Sequence, residues 1–185
     1  MARPIIRKII GLNILKCMDN KKIGGIIYYT DSRVSEPIFS TVQRILTEVG
    51  KEKELPITCV SLKPTDFGDR RIVLKGRERS YPTMIIQIVM ALENAQEDYV
   101  FFCENDVLYH DSHFDFTPLK DNVFYYNNNV WRWKLWDFKL ITYDNMRPLS
   151  CLCVNRKFAL EHYKKRLKAV YDLGLDEFRS REPRR

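Results

Sequence analysis

The chain has no apolar run approaching the roughly 20 residues that would span a bilayer, so no transmembrane helix is expected. Its first stretch is broken by Arg7 and Lys8 and has no small-residue cleavage site, so it reads poorly as a secretory signal and a cytoplasmic protein is expected. Cysteine is scarce and unpatterned. Cys17, Cys59, Cys103, Cys151 and Cys153 are odd in number, form no C-x-x-C pair and have apolar neighbours, which fits reduced core thiols. Three scattered histidines match no zinc pattern in combination with the C-x-C spacing. There is no internal repeat and no low-complexity segment.

What is present is the composition of an ordinary globular protein. The 185 residues are 45% hydrophobic and 30% charged, enough for one domain with a real core. The net charge of +7 is unevenly spread: 1–22 carry six Lys/Arg against Asp19, 156–185 carry ten against five acids, and 23–155 are left at −3. Basic ends read first as a solvated basic helix and tail, and also suit an anionic partner such as nucleic acid, a phosphate-bearing glycan or a membrane surface.

The stretch around which the chain is organised is 98–113. Tyr99-Val100-Phe101-Phe102-Cys103 reads as a buried parallel strand that ends in Glu104-Asn105-Asp106. Residues i and i+2 of a strand share a side, so the two carboxylates can converge on a hard cation such as Mg²⁺ or Mn²⁺, completed by substrate phosphates. The same three residues also read as a polar turn.

Around this stretch the pattern alternates strand and helix. Ile26-Ile27-Tyr28-Tyr29 is a strand followed by Thr30-Asp31-Ser32-Arg33, in the position where an open α/β sheet meets a nucleotide. Ile38, Val42, Ile45, Leu46 and Val49 form a helical stripe, with Ser35 as cap and Gly50 as stop. A strand is predicted over 57–62. Residues 63–81 are expected to be a charged loop, in which Arg70, Arg71, Lys75, Arg77 and Arg79 suit a diphosphate and Gly76 allows close backbone approach. A helix opening at Pro82 buries Met84, Ile85, Ile88, Val89 and Leu92. Further on, 122–136 hold six aromatics and continue into an alternating segment to Tyr143, which predicts an antiparallel hairpin on the sheet edge. Trp131, Trp133 and Trp136 read as core or, if exposed, as stacking platforms for a sugar face or base. Another apolar run, 149–154, precedes a helix capped by Asn155 and stopped by Gly174, and the remaining residues read as a polar, frayed tail.

Over roughly 23–172 the chain resembles the GT-A type nucleotide-sugar glycosyltransferases, family-2-like in character. The resemblance rests on Thr30-Asp31-Ser32-Arg33 after the first strand, Gly76-Arg77 in the basic loop, the helix at Pro82, and Glu104-Asn105-Asp106 in the place of the D-x-D motif. It implies an α/β fold: a mixed, mostly parallel sheet flanked by helices, with an antiparallel acceptor-side hairpin. It also implies a basic lead-in over 1–22, a domain over 23–172 whose 23–110 half takes the nucleotide sugar and whose 111–172 half takes the acceptor, and a tail over 173–185. Glu104 and Asp106 would hold Mn²⁺ or Mg²⁺. Thr30, Asp31, Arg33, Arg77 and Asn105 would bind the donor, a UDP-sugar in the favoured case, and Trp131, Trp133 and Trp136 the acceptor. Two departures stand out: the first acid is Glu rather than Asp, and no histidine follows His162 where relatives supply a late metal ligand. Either the chain is abbreviated, or His110 or His162 compensates, or the metal keeps a water.

The expected reaction is hexosyl transfer from a nucleotide-diphosphate sugar to an acceptor hydroxyl on a glycan, a lipid-linked carrier or a nucleic acid such as modified viral DNA. An inverting enzyme needs a carboxylate base. Asp144 is taken for that role ahead of Asp111, Asp115 and Asp137, although Asp144-Asn145 also reads as a turn. The competing readings are a nucleotidyltransferase, a metal-dependent nuclease using the same carboxylates, and a non-catalytic nucleic-acid-binding module.

Overall fold

A computed structural model describes residues 22–134, 136–142 and 146–181. Its main body is a six-stranded mixed sheet in the order β3-β2-β1-β4-β8-β5. Strands β1 (Gly24–Thr30), β2 (Ile57–Ser61), β3 (Arg70–Val73) and β4 (Tyr99–Glu104) run parallel, while β8 (Leu152–Asn155) lies antiparallel to β4 and β5 (Tyr125–Tyr126) antiparallel to β8. β1 and the first five residues of β4 are wholly buried because helices cover both faces of the sheet, which is why they read as unbroken apolar runs.

Helix α1 (Ile38–Glu52) connects β1 to β2 on one face. There Val42, Leu46 and Val49 pack with Ile26, Tyr28 and Phe101. Full burial of Val42 and Leu46 stabilises the unit by about 1.5–3 kcal/mol each. Helix α2 (Tyr81–Asn94) connects β3 to β4 on the other face, where Ile85, Ile88 and Leu92 pack with Ile27, Val100 and Phe102 and with Tyr163 of α3 (Arg156–Leu173). The observed architecture is thus α/β, with a mostly parallel, Rossmann-like sheet.

Local sequence signals place most of these elements. Ser80 caps α2, its Oγ accepting from the Thr83 amide at 3.1 Å, and Asn155 caps α3, its Oδ1 accepting from the Phe158 amide at 3.1 Å. Gly174 ends α3 at φ 78°, a conformation open to glycine.

Several expectations are corrected. Ser35 makes no side-chain cap; instead the Glu36 carboxylate accepts from the Ser40 amide at 3.1 Å. Helix α1 runs through Gly50, whose lack of a side chain admits the Leu55 carbonyl, 3.1 Å from where a Cβ would stand. The loop expected over 63–81 contains β3, anchored by Arg70, which donates to Glu97 at 2.8 and 3.2 Å. The tail expected to fray forms helix α4 (Leu175–Arg181), because Phe178 is buried against Tyr81. The hairpin of β6 (Trp131–Lys134) and β7 (Lys139–Thr142) is a separate two-stranded sheet rather than an extension of the sheet edge.

Candidate functional site

The strand order creates the site. From β1 the chain crosses over one face to β2, and it reaches β4 from β3 over the other face, so the C-terminal ends of β1 and β4 flank the point where the winding reverses. Crevices in open α/β sheets form at that point. A cleft of about 780 Å³ opens there, lined among others by Thr30, Asp31, Arg79, Tyr81, Glu104 and Asp106. A larger hollow, about 940 Å³, lies between α1 and residues 65–69 at the opposite end of the sheet. Its position, away from the strand C-termini, makes it the weaker candidate despite its size.

Glu104 is the last residue of β4 and the register partner of Tyr29. The Tyr29 hydroxyl donates to its Oε1 at 2.7 Å, and the Glu104 amide donates to the Tyr109 hydroxyl at 2.9 Å. Burial raises the Glu104 pKa above the ordinary carboxylate range, the tyrosine hydrogen bond opposes the rise, and the Asp106 charge adds to it. Asp106 itself is exposed. The pair therefore meets by a different route from strand alternation: the strand stops at Glu104, and Asn105-Asp106 form a turn that brings the second carboxylate back within electrostatic reach.

A polar brace joins the ends of β4, β1 and β2. The Asn105 Nδ2 donates to Thr30 Oγ1 at 2.8 Å, the Ser32 amide donates to the same oxygen at 2.9 Å, and the buried Gln87 Nε2 donates to the Thr30 and Val60 carbonyls at 2.8 and 3.1 Å. Asn105 is thus engaged in holding β4 to β1. Ser32 sits at φ 57°, a left-handed conformation that costs a non-glycine residue about 1 kcal/mol or more and fixes the loop that follows β1. Asp31 accepts from the Arg33 amide at 3.1 Å and pairs with Arg79 Nε at 3.0 Å.

Arg79 is thereby the basic-loop residue tied to the cleft. Arg77 is exposed, beside Gly76, and Arg70 is committed to Glu97 at the far end of the sheet. Tyr81, on the α2 N-terminal turn, accepts from Arg166 Nε at 2.7 Å, and the Arg179 guanidinium lies 5.5 Å from its ring centre. Tyr29, Gln87 and Tyr81 also line the cleft but carry no local sequence signal of a site. Each reaches the cleft through strand register or helix packing, which no short-range pattern carries.

Glu104 and Asp106 offer hard oxygen donors suited to Mg²⁺ or Mn²⁺, and a cation between them would offset the burial, and the smaller Asp106 repulsion, that disfavour the Glu104 charge. Among the described residues no three His, Cys, Asp or Glu side chains gather into a metal cage, so water and ligand oxygens would complete the shell. His110 is exposed and pairs with Asp111 at 2.7 Å, and His162 packs on the Phe124 and Tyr163 rings. Asp144 lies outside the described residues. Of the other carboxylates considered as bases, Asp115 is paired with Lys53 and Asp137 lies 3.9 Å from Lys139. Trp131, Trp133 and Trp136 are exposed on the separate hairpin, which removes the core reading for all three.

Compared with protein-family models, with curated proteins and with solved structures, the chain shows no match.

Proposed function

We propose that this chain is a metal-dependent GT-A type glycosyltransferase that moves a sugar from a nucleotide-diphosphate sugar, with a UDP-sugar favoured, to an acceptor hydroxyl. The observation that carries the reading is the convergence of a carboxylate pair, Glu104 and Asp106, with the Asp31–Arg79 ion pair in one cleft at the topological switch point. Glu104 and Asp106 would hold Mn²⁺ or Mg²⁺, which supplies positive charge for a diphosphate leaving group. Tyr29 orients Glu104 through its hydroxyl. Asp31 holds Arg79 at the cleft, where its guanidinium adds hydrogen bonds and charge toward the same phosphates. Asn105 ties the end of β4 to that of β1, and Gln87 ties β1 to β2.

A thermal-shift panel of nucleotide sugars with and without Mn²⁺ tests this. A donor at about 100 times its Kd stabilises the fold by about 2.7 kcal/mol, and the shift should depend on the metal. Absence of a shift with every nucleotide sugar, in either condition, overturns the reading. A supercoiled-plasmid cleavage assay with Mg²⁺ separates it from a nuclease built on the same carboxylates.

A further inference from the structure

The β6–β7 hairpin is the exposed apolar feature that the cleft leaves unexplained. Among the described residues neither strand makes an extensive contact with another helix or strand, and a two-stranded sheet standing alone is only marginally stable in water. Strand alternation sorts its side chains. Trp131, Trp133 and Leu140 share one face and are 58%, 54% and 62% exposed, so that face is not packed on the body. Arg132, Lys134 and Lys139 occupy the other face together with Ile141. At the connecting turn Trp136 and Phe138 are each 80% exposed, and Phe138 sits at φ 53°, a conformation uncommon for a bulky side chain. Lys134 and Lys139 are direct cross-strand partners; Asp137, 3.9 Å from Lys139, offsets one of the two charges and leaves the pair a net cation.

We propose that this hairpin docks the protein on an anionic bilayer surface, with Trp136 and Phe138 entering the headgroup–acyl boundary and Lys134 and Lys139 meeting the lipid phosphates. Aromatic side chains favour that boundary, and lysines beside it gain from the negative surface. A single-stranded nucleic acid fits less well. It needs stacking rings and a basic track on the same face, whereas here the rings and the cations lie on opposite faces and the ring face includes aliphatic Leu140. The inference is independent of the transferase reading. It separates Trp136, at the tip, from Trp131 and Trp133 on the strand face.

All three tryptophans of the chain lie in this hairpin, so tryptophan fluorescence reports on it alone. The full chain is mixed with phosphatidylcholine vesicles and with phosphatidylcholine–phosphatidylglycerol vesicles, plain or carrying brominated acyl chains. Expected are co-sedimentation and a fluorescence blue shift with the phosphatidylglycerol vesicles, and quenching by the brominated ones. Basic residues at the chain ends can also attract these vesicles, but they produce no quenching. The double variant W136A/F138A should partition about tenfold more weakly or worse, and K134E/K139E should abolish the preference for phosphatidylglycerol. Unquenched wild-type fluorescence overturns the proposal, whatever the variants do. Binding of W136A/F138A equal to wild type also overturns it, as does single-stranded DNA, but not vesicles, binding through Trp136 and Phe138.

Discussion

Tyr29, the penultimate residue of β1, and Glu104, the last of β4, are register partners, and the tyrosine hydroxyl donates to the carboxylate at 2.7 Å across a separation of 75 residues in sequence. The pairing holds a partly desolvated carboxylate at the mouth of the cleft.

Glu104 has a raised pKa in the fold, chiefly through burial. The folded state therefore binds the proton more tightly than the unfolded chain, and this group's contribution to stability is full at acid pH and lost as pH rises through its folded pKa. Glu104→Gln keeps the Tyr29 hydrogen bond and removes the buried charge, so it should raise the metal-free thermal midpoint at neutral pH. It should also abolish metal-dependent stabilisation by a nucleotide sugar. Tyr29→Phe should lower stability by about 1–2 kcal/mol in urea melts, because the carboxylate oxygen loses its donor.

His113 behaves in the opposite sense. Buried among Phe101, Tyr109 and Phe114, its pKa is lowered from 6.5 to about 4 by burial. The unfolded chain takes up the proton first, so stability is full above pH 6.5 and falls as pH drops toward 4. The fall is at most about 3 kcal/mol. His113→Gln should flatten the stability profile over that window, as read by urea midpoints at successive pH values.

Arg79 and Arg77 differ by two positions and should differ in effect. Both side chains are exposed, but Arg79 pairs with Asp31 and lines the cleft, whereas Arg77 is not among the residues lining it. Arg79→Ala should weaken nucleotide-sugar binding by about tenfold or more, the value of a charge-assisted hydrogen bond, and Arg77→Ala should change it little. Titration calorimetry in Mn²⁺ compares them, and equal losses would count against the placement of the phosphates beside Arg79.

Arg70 lies in the same basic segment but serves the fold. Its guanidinium spans both oxygens of Glu97, whose side chain is only 4% exposed. Arg70→Ala leaves that carboxylate buried without its partner and should cost about 3 kcal/mol or more in urea unfolding. Arg71→Ala, at an exposed neighbour, should cost less than about 1 kcal/mol.

Sequence pattern alone was enough for the α/β class and for most of the elements. The stripe from Ile38 to Val49, the cap at Asn155, the stop at Gly174 and the apolar run from Tyr99 to Cys103 are each decided by residues within a few positions of one another. The same local chemistry put Glu104, Asp106, Thr30 and Asp31 at strand ends, and so at the cleft. Tertiary structure decided what depends on distant partners. Strand register placed Tyr29 on Glu104, the course of β3 gave Arg70 to Glu97 and left Arg79 for Asp31, and Tyr81 gave Phe178 a surface on which to order the tail. The aromatic hairpin shows the same divide. Its alternation is legible in the chain, but whether it joins the main sheet or stands apart depends on which strand edge is free, and β5 pairs with β8 at that edge.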